Sequence, residues 1–90
     1  MNSNVIRINE KDNVAVALAD IKKGEQAILA DDAFIEAASD IPYSHKIALR
    51  DIVKGGEIIK YGELIGEAKT DIKKGEWVHT HNIDIEKKGK

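Results

Sequence analysis

Cysteine is absent from this chain of 90 residues, and proline occurs once, at Pro42. The first absence excludes disulfides, thiolate zinc sites, cysteine-ligated iron-sulfur clusters and thiol nucleophiles, and it suits a reducing cytoplasm. Long apolar runs are also missing. The N-terminus, Met1-Asn2-Ser3-Asn4-Val5-Ile6-Arg7, has no basic segment followed by an apolar one, so neither secretion nor membrane insertion is expected. There is no excess of positive charge: 14 basic residues face 16 acidic ones, for a net charge of -2. Lys87, Lys88 and Lys90 read as a solvated tail, and no nucleic-acid partner is expected. The chain has no P-loop, dinucleotide fingerprint, Ser-His-Asp arrangement or H-E-x-x-H motif. No carboxylate pair stands out as acid and base, so catalytic residues cannot be named from the sequence.

With 42% hydrophobic and 33% charged residues, the composition is that of a globular protein. One domain, 1–90, with one modest core is expected, its ends at 1–11 and 84–90 loose. A turn phrase recurs three times: Asp20-Ile21-Lys22-Lys23-Gly24-Glu25, Asp51-Ile52-Val53-Lys54-Gly55-Gly56 and Asp71-Ile72-Lys73-Lys74-Gly75-Glu76. Asp can bond its own downstream backbone, and the glycines can take a positive φ. The spacing of the phrases is unequal, which excludes a solenoid of fixed period. Between the turns, short alternating runs rich in β-branched residues predict about seven strands and a mainly β fold. Residues 30–44 fit either a short helical turn or an extended arm, with an irregular connection at Pro42.

The candidate site begins with Trp77-Val78-His79-Thr80-His81-Asn82. On a continuous strand the period of two places Trp77, His79, His81 and Ile83 on one face. Two neighbouring imidazoles suit a divalent metal or proton handling near neutral pH. They equally suit half-buried sheet residues bonded to backbone or water. His45 and Lys46 follow an irregular loop and can bind a carboxylate together, the lysine as a point charge. Arg50, Lys60 and Tyr61 are further candidates for an anionic hydroxy acid, against the plainer reading of solvated side chains. Trp77 fits either a sugar-stacking surface or core packing, and its plainer role is the core.

Taken together, the stretches His45-Lys46-Ile47-Ala48-Leu49-Arg50-Asp51-Ile52, Ile59-Lys60-Tyr61-Gly62, Ile65-Gly66 and Gly75-Glu76-Trp77-Val78-His79-Thr80-His81-Asn82 resemble the SAF-type N-terminal domain of the altronate and galactarate dehydratase family. The resemblance implies a β-clip fold and a small subunit, ending at Lys90, that works beside a large catalytic dehydratase subunit; the small chain of sulfolactate sulfo-lyase is similar as well. It further implies a lyase, chiefly a hydro-lyase acting on a sugar acid, dependent on iron or another divalent metal held mainly by the partner. On this reading His45, Lys46 and Arg50 bind substrate, His79 and His81 bind metal, and the isolated chain is inactive. Where the family commonly has Gly before the His-Lys pair, this chain has Ser44. Homo-oligomerisation stays open. A carbohydrate-binding or assembly module of SAF type is the alternative of another class, and a ligand-free adaptor a third.

Overall fold

The computed structural model describes residues 3–84, and no helix occurs among them. Nine strands follow in chain order: β1 Val5–Ile6, β2 Val14–Ala17, β3 Gln26–Ile28, β4 Phe34–Glu36, β5 Lys46–Ala48, β6 Glu57–Lys60, β7 Glu63–Ala68, β8 Trp77–Val78 and β9 Ile83–Asp84. The mainly β expectation holds, with two strands more than the sequence suggested. One of them, β1, lies in the segment 1–11 that was expected to be loose. Val5 pairs with Ala17 and is 1% exposed, so burial of an apolar side chain ties that segment down. The other, β4, decides residues 30–44 for the extended arm, since Phe34–Glu36 pairs along β3 with Ala27 opposite Ile35. At the other end Asp84 belongs to β9, whereas residues 85–90 lie outside the described residues, as do 1–2.

All the strand pairings are antiparallel. A central sheet of order β1-β2-β5-β8 is accompanied by the β3-β4 hairpin and by a sheet of order β6-β7-β9. Successive strand residues point to opposite faces, and here both faces of the central sheet are used. Ala15, Ala17, Ile47 and Trp77 join one apolar cluster with Ala27 and Leu29 of the β3 region. Val14, Ala48 and Val78 join the other, with Ile58 of β6, Ala68 of β7 and Ile83 of β9. A strand covered on both sides cannot alternate polar with apolar, which accounts for the run Val14-Ala15-Val16-Ala17.

The turn phrase occurs four times rather than three. Asp40-Ile41-Pro42-Tyr43-Ser44-His45 is the fourth, with Ser44 at φ +69 where Gly24, Gly55 and Gly75 stand at +90, +83 and +91. The turns work in pairs. Ile21 and Ile41 each donate N–H to the other's carbonyl, at 2.9 and 2.7 Å, and Ile52 and Ile72 do the same at 2.8 and 2.7 Å. The aspartates cross over: Asp20 accepts from Tyr43 N–H, Asp40 from Lys23, Asp51 from Lys74 and Asp71 from Lys54, at 2.8–2.9 Å. Each aspartate therefore caps its partner's turn, which corrects the local reading, and each such bond contributes about 1 kcal/mol.

The offset between Asp20 and Asp51 is 31 residues, and so is that between Asp40 and Asp71. The same shift carries Ala17, Ile21, Ala27, Ala37, Ile41 and Ile47 of one cluster onto Ala48, Ile52, Ile58, Ala68, Ile72 and Val78 of the other. Backbone bonds obey it too, since Ala17 N–H to His45 O recurs as Ala48 N–H to Glu76 O. The fold is thus one unit used twice, each copy with its own half of the core. Asn13, 6% exposed, ties the central sheet to β6: its side-chain amide donates to Glu57 O at 2.7 Å and accepts from Ile59 N–H at 2.8 Å.

The turn glycines are not equivalent, and urea denaturation should separate them. A Cβ at Gly24 meets open space, so Gly24→Ala loses only the left-handed backbone, about 1 kcal/mol. At Gly75 a Cβ would run into the Glu36 carbonyl oxygen, adding about 1–3 kcal/mol of overpacking. Equal losses at the two sites would contradict this packing of the turn on β4.

Candidate functional site

Ser44 N–H donates to Ala17 O at 2.8 Å and His45 N–H to Pro42 O at 3.0 Å, so the fourth turn delivers His45 to the start of β5. Lys46 follows, opposite Val78 of β8, and Ile47 lies opposite Trp77. Alternation sends His45 to the side of Trp77 and Lys46 to the side of Ile65 and Ile83. Trp77 is held by its backbone at two points and by its indole at a third. Trp77 N–H donates to Ser39 Oγ at 3.0 Å, Asn82 Nδ2 donates to Trp77 O at 2.9 Å, and Trp77 Nε1–H donates to His45 Nδ1 at 3.0 Å.

The continuous strand expected from Trp77 to Ile83 does not form. β8 ends at Val78, and a turn spans His79 to Asn82. Asn82, 5% exposed, closes it by accepting from His79 N–H at 2.9 Å. Asn82 and Ile83 N–H both donate to His79 O, at 3.0 and 3.1 Å. Even so, the rings converge. His79 stacks on Trp77 with centroids 5.2 Å apart and planes 9° apart, His81 tilts against Trp77 at 5.0 Å, and His45 lies 4.6 Å from His79. His79 and His81 line different hollows: His79 shares one of about 140 Å³ with Lys46, Ile65, Thr80 and Ile83, and His81 lines a polar one with Ser39, Thr70 and Glu76.

The structure brings together His45, Lys46, Trp77, His79, His81 and, by its charge, Lys60. Arg50 is exposed beyond the other end of β5, in the bend that follows it. Tyr61 is exposed, with the Lys60 ammonium 4.8 Å from its ring centroid. Ser39 and Asn82 were not singled out from the sequence. The signal for Asn82 was its turn-forming character after His79-Thr80-His81; a lone serine carried none. Trp77 packs on the core from a half-buried position, in keeping with the plainer reading of it.

Electrostatically the cluster is cationic. Burial, then the positive charge of Lys60, pushes the half-buried Lys46 ammonium below the ordinary lysine value. Partial burial, then His45, Lys46 and His81, push the His79 imidazole down as well, which favours its neutral form. A metal cage needs three or more protein ligands. Among the described residues no three His, Asp or Glu side chains converge to hold one, and Nδ1 of His45 is already bonded to the indole. These residues by themselves do not fit a divalent ion.

These features define a small all-β module that presents a cationic, histidine-bearing edge held by an indole. The chain belongs to the altronate/galactarate dehydratase SAF domain family, whose model matches residues 3–86. It is 48% identical to the altronate dehydratase of Bacillus subtilis over 77 residues, 86% of this chain and 15% of that protein. It is 41% identical to the galactarate dehydratase (L-threo-forming) of Escherichia coli over 73 residues, 81% of this chain and 14% of that protein. It is also 45% identical to the (2R)-sulfolactate sulfo-lyase subunit alpha of Paracoccus pantotrophus over 51 residues, 57% of this chain and 76% of that subunit. The chain thus spans about 15% of the length of the dehydratases it matches. No helix among the described residues is long and apolar enough to cross a membrane.

The electrostatics are open to NMR titration, which should place the His79 imidazole below its ordinary value of about 6.5. Because the folded state then binds the proton less readily than the unfolded state, His79 contributes a loss of stability that begins as pH falls below that value and is complete below the folded pKa. A His79 value at or above about 6.5 would contradict the cationic surroundings described here.

Proposed function

We propose that this chain is the small subunit of a hydro-lyase that removes water from a sugar acid of the altronate or galactarate type, and that the His45, Lys46 and Lys60 edge grips the substrate carboxylate. The observation that carries the reading is the half-buried Lys46 ammonium, whose surroundings are desolvating and positive. A bound anion relieves both penalties, because it restores to the buried charge the partner that water no longer supplies. His45 and Lys46 leave opposite faces of the chain at the start of β5, and His79 bridges them: its ring lies 4.6 Å from that of His45 and lines one hollow with Lys46, so an acid lying across that hollow reaches both.

In this reading the base that removes the proton next to the carboxylate, and any divalent metal, belong to a large catalytic chain. The small subunit orients the acid and excludes water, which raises the rate by positioning alone. Arg50 has no part in that grip, and the isolated chain is inactive. A second reading, the equivalent subunit of a sulfolactate sulfo-lyase, is supported by the 45% identity to such a subunit over 51 residues. Both readings use the same carboxylate grip and differ in the leaving group, water or sulfite.

Co-purification from native extract should recover a large partner whose complex dehydrates altronate or galactarate, or releases sulfite from sulfolactate. In that complex Lys46→Met should raise KM at least tenfold, about 1.4 kcal/mol of lost binding, while Arg50→Met stays within twofold. A clean monomer with no partner moves the chain to the binding-module class.

A further inference from the structure

The indole N–H of Trp77 points at the Nδ1 atom of His45, 3.0 Å away. An indole nitrogen can only donate, so Nδ1 must offer its lone pair, and the neutral ring must carry its proton on Nε2. The donor does not wander: the Trp77 backbone is bonded to Ser39 Oγ on one side and to the buried Asn82 side chain on the other. The indole ring is stacked against His79 and packs on the apolar cluster beneath the central sheet.

We propose that Trp77 is a positioning residue that locks His45 in its Nε2–H tautomer and fixes the direction of that N–H, so that the ring enters the site as a hydrogen-bond donor. Service to a substrate carboxylate rests on the proposed function; the tautomer does not. A donor tautomer set beforehand complements the neighbouring Lys46, since a carboxylate accepts from both and donates to neither. The opposite tautomer would turn a lone pair toward the substrate and repel it. The interaction therefore selects for anions, and it does so without adding a charge.

Long-range proton–nitrogen correlation spectra of the 15N-labelled 90-residue chain, recorded alkaline of the imidazole range, test this directly. In the wild type the His45 Nδ1 should show the shift of an unprotonated ring nitrogen and Nε2 that of a protonated one. A scalar coupling should also connect Trp77 Nε1 with His45 Nδ1 across the hydrogen bond. In Trp77→Phe, which keeps an aromatic ring and loses the N–H, both His45 nitrogens should move to intermediate, exchange-averaged shifts. A proton on Nδ1, absence of the coupling in the wild type, or wild-type His45 shifts retained in Trp77→Phe would each overturn the proposal. The wild-type readouts stand whether or not the variant folds. No substrate or partner is needed, so a negative result here leaves the proposed function intact, and a negative result in the reconstituted enzyme leaves the tautomer intact.

Discussion

The paired turn is the constraint on which everything else depends. Each turn brings an aspartate that accepts from the backbone of the opposite turn, and an isoleucine that exchanges two hydrogen bonds with its counterpart. Neither turn satisfies its polar groups alone, so the two form together or not at all. Because Ile21 and Ile41 are also among the largest fully buried side chains, the same contact that satisfies the backbone nails the core in place. Four turns arranged as two such pairs hold short strands, several of them only two or three residues long, that would not persist in isolation.

The candidate site grows out of that arrangement at the place where the two copies of the unit differ. Where the last turn ends in Glu76, whose carboxylate accepts from Lys73 N–H at 3.0 Å, the fourth turn ends in His45. One shift along, Lys46 of the first copy corresponds to Trp77 of the second. The duplicated backbone thus sets an imidazole and an ammonium on one strand beside an indole on its neighbour. Antiparallel pairing of β5 with β8 then makes the hydrogen bond between His45 and Trp77. Half-burial does the rest, since charges with restricted access to water feel one another more strongly than exposed ones.

Much of this was legible along the chain. The three glycine-bearing turns stand out because glycine is the residue that tolerates positive φ, and the β-branched runs between them fit strands and little else. The fourth turn was hidden because Tyr43 and Ser44 replace the lysine and glycine of the other copies. Its trace was the pair Asp40-Ile41, at the same distance before Asp71-Ile72 as Asp20-Ile21 lies before Asp51-Ile52. β1 was hidden for a different reason: two apolar residues carry no periodicity, and only the open edge of β2 gives them a place.

Composition, turn chemistry and the alternation of apolar residues sufficed for fold class and for the absence of thiol chemistry, and they marked the segments that meet at the candidate site, because those properties are local and each residue carries its share. The direction of each functional side chain was not local. Whether His79 and His81 stand side by side depended on Asn82, which breaks the strand into a turn by bonding at both its ends. Whether His45 meets Trp77 depended on a strand register between segments 32 residues apart. Register and turn closure are set by contacts between distant parts of the chain, and only the folded molecule contains them.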